Sequence, residues 1–321
     1  MRTAPWMLVA GALLIGCQEA TQPDSEPDIA AKTGTVRKIE VTDLGTPGVG
    51  TGINPAGQVV GFTETAGLRA FLWSRGTMTD LGTGIASGIN AAGQVVGFSL
   101  GHAVLWSRGT MTDLGTLGGN SSEAGGINPA GQVVGSSLTA EGNRHAFLWS
   151  RGVMTDLGTL GGNESAAYGI NPAGQVVGRS ETAEGSLHAF LWSRGVMTDL
   201  GVLGGDESAA YAINPAGQVV GSSTTAEGSS HAFLWSHGVM TDLGTLRVND
   251  ESGARGINPA GQVVGFSGTL DGDDHAFLWS DGVMLDLGRG GAGGINPAGQ
   301  VVGWAPRPPF GEAHPVLWTI K

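Results

Sequence analysis

Apolar residues in this chain come in adjacent pairs and triplets, as in Val176-Val177 and Phe190-Leu191-Trp192. Neighbouring side chains of a strand point to opposite faces of the sheet. Adjacent apolar residues therefore demand burial on both faces, whereas a sheet with one wet face shows strict alternation. The pattern predicts short strands packed between other sheets.

The pattern also repeats. The phrase Ile-Asn-x-Ala-Gly-Gln-Val-Val-Gly begins at Ile53, Ile89, Ile127, Ile170, Ile213, Ile257 and Ile295. A Leu-Trp pair ends at Trp73, Trp106, Trp149, Trp192, Trp235, Trp279 and Trp318, and an Asp-Leu-Gly triplet starts at Asp43, Asp80, Asp113, Asp156, Asp199, Asp242 and Asp286. Residues 168–201 show one unit. Tyr168 to Asn171 is a short strand. Asn171-Pro-Ala-Gly174 is a turn, because Asn suits its first position, Pro fixes φ at the second and Gly tolerates positive φ at the end. Gln175 to Ser180, His188 to Ser193 and Val196 to Leu200 are three more strands, the last two joined by a tight Arg194-Gly195 turn. Four short strands in roughly 40 residues is the pattern of a propeller blade.

The two ends of the repeat region are complementary. The first Asp-Leu-Gly follows a lone strand, Val36 to Val41, with no earlier blade to belong to. The last repeat stops at Lys321 and lacks its fourth strand. The expected fold over residues 35–321 is all-β: a seven-bladed β-propeller of four-stranded blades, closed by the N-terminal strand completing the last blade. That closure removes exposed strand edges. An open β-solenoid is the alternative, and the complementary ends argue against it.

The phrase HAFLWS, followed by G-x-MTDLG and GINPAGQVVG, resembles the HAF repeat family of predicted extracellular bacterial proteins. The resemblance covers nearly all of residues 36–321. It implies a surface or secreted location and no assigned reaction. Blade 1 departs with Arg69-Ala-Phe, blade 2 with His102-Ala-Val and blade 7 with His314-Pro-Val.

The leader fits that location. Trp6 to Gly16 is apolar and small, too short to span a bilayer, which needs about 20 residues, but of signal-peptide length. It ends in Leu14-Ile15-Gly16-Cys17, which resembles the lipobox of bacterial lipoproteins. The resemblance implies a signal peptide over 1–16 and lipidation of Cys17, the only cysteine. Gln18 after it implies the outer membrane. With one cysteine there is no internal disulfide. Residues 17–34 are polar and acidic with two prolines, and read as a flexible tether.

The net charge of −12 argues against nucleic-acid binding, which relies on Lys and Arg. The acids are not evenly spread. The links between strand 4 and the next strand 1, together with the strand 2–3 loops, belong to one face and carry most of the acids. Arg75, Arg108, Arg151 and Arg194 sit in the turns of the other. Long acidic loops, such as Thr159 to Ser165, are expected before blades 3 to 6, on one arc of that face.

Six histidines head the third strands, from His102 to His314. Placed one per blade, they cannot converge on one ion, so each is expected to bond the repeated Asn or Asp of its own blade. The candidate site lies elsewhere. Strand 1 lines the channel, and two residues before each Ile stand Thr51, Ser87, Gly125, Tyr168, Tyr211, Arg255 and Gly293. The only two tyrosines fall here on adjacent blades, with Arg255 next. With Glu164, Glu207 and Glu251 nearby they form a candidate binding patch, since Tyr and Arg concentrate binding energy. A recent duplication of blades 4 and 5 would also account for the two tyrosines.

No cofactor and no metal is expected, and no catalytic residue is assigned. The expected function is a lipid-anchored, extracytoplasmic, monomeric module binding a protein or glycan. The alternatives are a polysaccharide lyase or hydrolase, and a structural part of an envelope-assembly complex. An enzyme should place a carboxylate or histidine in the strand-1 register, where the only charged residue is Arg255.

Overall fold

The computed structural model describes residues 38–321, apart from 66, 248–249, 269–272 and 308–310. Cys17, the leader and the tether lie outside the described residues. Among the described residues, twenty-eight strands, β1 to β28 in chain order, form seven four-stranded antiparallel sheets, and no helix is present. The protein is a seven-bladed β-propeller.

Blades 1 to 6 are each built from four consecutive strands. Blade 7 takes three strands from the C-terminus and its outermost from the N-terminus: β1 (Ile39–Asp43) pairs with β28 (Glu312–Ile320) from Ile39↔Ile320 to Asp43↔Val316. Leu44, just past that strand, is buried with Val59, Phe71, Val302 and Leu317. The closing segment thus joins blade 7 to blade 1.

The adjacent valines are used as expected. Val176 packs on Val134 and Ala146 of blade 3, while Val177 packs on Ala210 and Val219 of blade 5. Both are fully buried. Ala189 and Phe190 divide in the same way between the two interfaces.

The histidines and the Asp-Leu-Gly triplet form one device. Asp199 takes a hydrogen bond from the Gly201 amide on Oδ1, and its Oδ2 lies 2.7 Å from Nδ1 of His188. The same His–Asp bond occurs in blades 2, 3, 5, 6 and 7, and Arg69 replaces His in blade 1. The partner left open between Asn and Asp is the Asp. The Arg69 bonds and the Gly82 amide hold the Asp80 carboxyl below the ordinary carboxylate range. A lowered carboxyl adds stability above its unfolded range and loses it as the pH falls through that range. In urea titrations, Asp80→Asn should therefore narrow the gap in stability between pH 6 and pH 3.

The repeated Asn does something else. The Asn171 side chain is buried. Its Oδ1 accepts bonds from the Ala173 and Gln175 amides, and its Nδ2 donates to the Gln175 side chain and to the Asn214 carbonyl of the next blade. The next-blade bond recurs at every repeat, and Asn296 donates to the Asn54 carbonyl at 3.3 Å. Seven asparagines thus close a hydrogen-bonded ring at one end of the channel. They are turn residues, as the sequence indicates, and also staples between blades.

The links into blades 3 to 5 differ from expectation. They are not loops: β10 (Gly118–Ile127), β14 (Gly161–Ile170) and β18 (Gly204–Ile213) each run ten residues. Their Gly- and Asn-rich beginnings pair with the far end of strand 2, as in Gly161↔Thr182, across a register shift. Ser165 explains part of this extension. Buried at the junction, it accepts a bond from the Ala146 amide of blade 3 and donates to the Gly158 carbonyl.

The strand 3–4 turns carry Arg75, Arg108, Arg151 and Arg194 at φ of 50 to 51°, each followed by glycine with φ of 77 to 88°. Two positive φ values in a two-residue hairpin mark a type I′ turn, which prefers Asn first. Arg194→Asn should raise stability by about 0.5–1 kcal/mol, read as a higher melting temperature.

Candidate site at the central channel

Strand 1 of every blade is bulged, and the bulge falls at one repeated position. In blade 4, Ala167 pairs with Gly178 and Gly169 pairs with Val177, which leaves Tyr168 between them without a partner. The other blades place Thr51, Ser87, Gly125, Tyr211, Arg255 and Gly293 in the same bulge. A bulge re-aims a side chain, and here it turns the residue toward the axis. Tyr168, Tyr211 and Arg255 line the channel with the seven repeated isoleucines.

The three large residues meet. The Tyr168 and Tyr211 ring centroids are 5.4 Å apart at an interplanar angle of 38°. The Arg255 guanidinium lies 4.1 Å from the Tyr211 centroid and 5.5 Å from that of Phe266. Such aromatic pairs and cation–π contacts each contribute about 1 kcal/mol. Burial pushes the Tyr168 hydroxyl above its ordinary range, against the opposing charges of Arg179 and Arg255. At neutral pH it is a neutral phenol, able to donate a hydrogen bond. On the other side of the ring, Thr51 is turned to backbone, donating to the Ala86 carbonyl at 2.6 Å.

The predicted carboxylates are only partly gathered. Glu207 lines a small cleft with Tyr211 and Arg179. Glu164 and Glu251 are exposed, each next to a buried serine. Among the described residues, no side-chain hydrogen bond or ion pair links them to the stack.

A second layer escapes the sequence pattern. The residue after each Val-Val-Gly is Phe62, Phe98, Ser136, Arg179, Ser222, Phe266 or Trp304. It pairs across from strand 1, as Arg179 does with Ala166. Four of them, Phe98 and Ser136 in one and Phe266 and Trp304 in the other, wall two clefts of about 450 and 440 Å³. In one, Phe98 and Ile85 face Tyr168, with Glu123 held by Arg144 at 3.4 Å. In the other, Phe266 and Trp304 face Arg255 and Thr51. The first cleft opens where blade 3 has Gly125 in place of a tyrosine. The signal available in sequence was the first variable position after a fixed triplet.

No protein-family model matches the chain. No curated protein matches it. Among solved structures, a gluconolactonase from Xanthomonas campestris is 13% identical with a TM-score of 0.46, over 88% of this chain and 90% of that one. TolB from Acinetobacter baumannii is 12% identical with a TM-score of 0.48, over 87% of this chain and 65% of that one. AofleA from Arthrobotrys oligospora is 10% identical with a TM-score of 0.43, over 80% of this chain and 92% of that one. The likeness is one of fold.

Proposed function

We propose that this propeller is a non-enzymatic binding module of the bacterial envelope, tethered by a lipid on Cys17, that takes a protein or glycan at its central channel. The lipobox-like leader and the resemblance to HAF repeats support the location. The Tyr168–Tyr211–Arg255 stack carries the binding reading. Its rings are only half-buried and its guanidinium is exposed, on a rigid ring of strands. Rigid aromatic and arginine groups left open to solvent suit recognition, because little entropy is lost when they are covered. Six of the seven histidines are each bound to an aspartate of their own blade, one per blade and apart from the channel stack.

An unbiased test is a pull-down and glycan-array screen with the full chain. The double variant Tyr168→Ala/Tyr211→Ala should lose binding by about tenfold or more while remaining folded, with a melting temperature lowered by only about 5–10 °C. Undiminished binding by that variant contradicts the reading.

A further inference from the structure

Two guanidinium groups gather around Tyr211. Arg255 lies over its ring, and Arg179 lines the same cleft as Tyr211. Both are exposed, and among the described residues neither makes an ion pair. Arg69, Arg144, Arg289 and Arg307, in contrast, each hold a carboxylate. The turn arginines of the opposite face are also unpaired, but they stand one per blade. The chain has 28 acidic residues against 16 Lys and Arg, so partners for Arg179 and Arg255 were available in number.

The surroundings fit an incoming anion. No carboxylate is among the residues lining the channel beside the stack; Glu123, paired with Arg144, and Glu207 stand in the clefts on either side. The Tyr168 hydroxyl, a hydrogen-bond donor, feels the charges of both arginines as well as that of Glu123, which Arg144 holds. Arginine binds carboxylate, phosphate and sulfate through paired N–H groups. The flanking clefts, walled by Phe98 on one side and by Phe266 and Trp304 on the other, continue the aromatic surface. Their volumes lie within the range of small-ligand sites.

We propose that the ligand is an acidic saccharide, with its anionic group held by Arg179 and Arg255 and a sugar ring on the faces of Tyr168 and Tyr211. The proposal rests on the binding reading above and narrows it to a ligand class.

The test is calorimetric titration of the full chain with oligogalacturonate, its methyl ester, and a sulfated heparin oligosaccharide. At least one charged oligomer should bind, and the choice between them tells whether carboxylate or sulfate is taken. For oligogalacturonate, the methyl ester should bind about tenfold more weakly or worse. Arg179→Gln and Arg255→Gln should each weaken the charged oligomer by about tenfold in a protein that stays folded, with a melting temperature lowered by no more than about 5 °C. Failure of both charged oligomers to bind overturns the proposal. Equal binding of the ester, lost in Tyr168→Ala, overturns the anionic ligand and leaves the channel site standing. Binding indifferent to the arginine and tyrosine variants overturns both.

Discussion

Gly178→Ala is expected to lower the melting temperature by about 10 °C, the shift that a loss of about 4 kcal/mol produces in a domain of this size. The reason is the bulge that aims Tyr168 into the channel. It brings strand 1 over the glycine so closely that a Cβ at 178 would stand 1.9 Å from the Ala166 carbonyl oxygen. That neighbour is backbone and cannot swing aside. Every blade shows the same approach, with distances of 1.9 to 2.0 Å at Gly61, Gly97, Gly135, Gly221, Gly265 and Gly303. The glycine of Val-Val-Gly is thus required by close approach and not by its own φ. Gly185 provides the control. Its φ is +92° and its Cβ would meet nothing within 4 Å, so Gly185→Ala should cost only the left-handed backbone penalty, about 1–2 kcal/mol. Equal losses at the two sites would show that the bulge is not rigid.

The second large effect is expected at the asparagine ring. Asn171→Ala removes four side-chain hydrogen bonds at a position only 1% exposed, one of them to the neighbouring blade. At roughly 1 kcal/mol net per bond, the cost is about 3–4 kcal/mol. Asn171→Asp separates the parts. It keeps both acceptor bonds of the turn, loses both donors, and places a charge among buried carbonyls. If cross-blade stapling matters, Asp should be at least as destabilising as Ala. If the turn alone matters, Asp should be less destabilising than Ala. Thermal melting of the three proteins distinguishes these outcomes.

Much of this architecture could be read from the chain, for physical reasons. Paired valines require two buried faces, so the repeat had to stack. The unmatched strand at each end had only one arrangement that left no free edge. The candidate stack was visible because the repeat itself is a ruler: two residues before Ile marks the bulge in every blade. Other features were hidden. Gly161, Gly162 and Asn163 have the composition of a loop, and only pairing with the end of strand 2 makes them strand. Arg179 replaces Ser136 and Ser222 of the neighbouring blades, and a lone polar substitution of that kind is not distinguishable in sequence from ordinary surface. Its place beside Tyr211 is set by the next blade, which local sequence does not reveal. Glu164 and Glu251 are close to the stack in sequence, and both are exposed, with no side-chain bond to it among the described residues.

The central claim is that ligand binds on the tyrosine stack in the channel. The chain has two tyrosines, and both belong to that stack. Ring-labelled tyrosine in the full chain therefore gives an NMR spectrum in which every signal reports on the site. On titration with the tightest binder from the glycan array, the signals of Tyr168 and Tyr211 should both shift and saturate together. A saturating binder that leaves both signals unmoved would contradict the account.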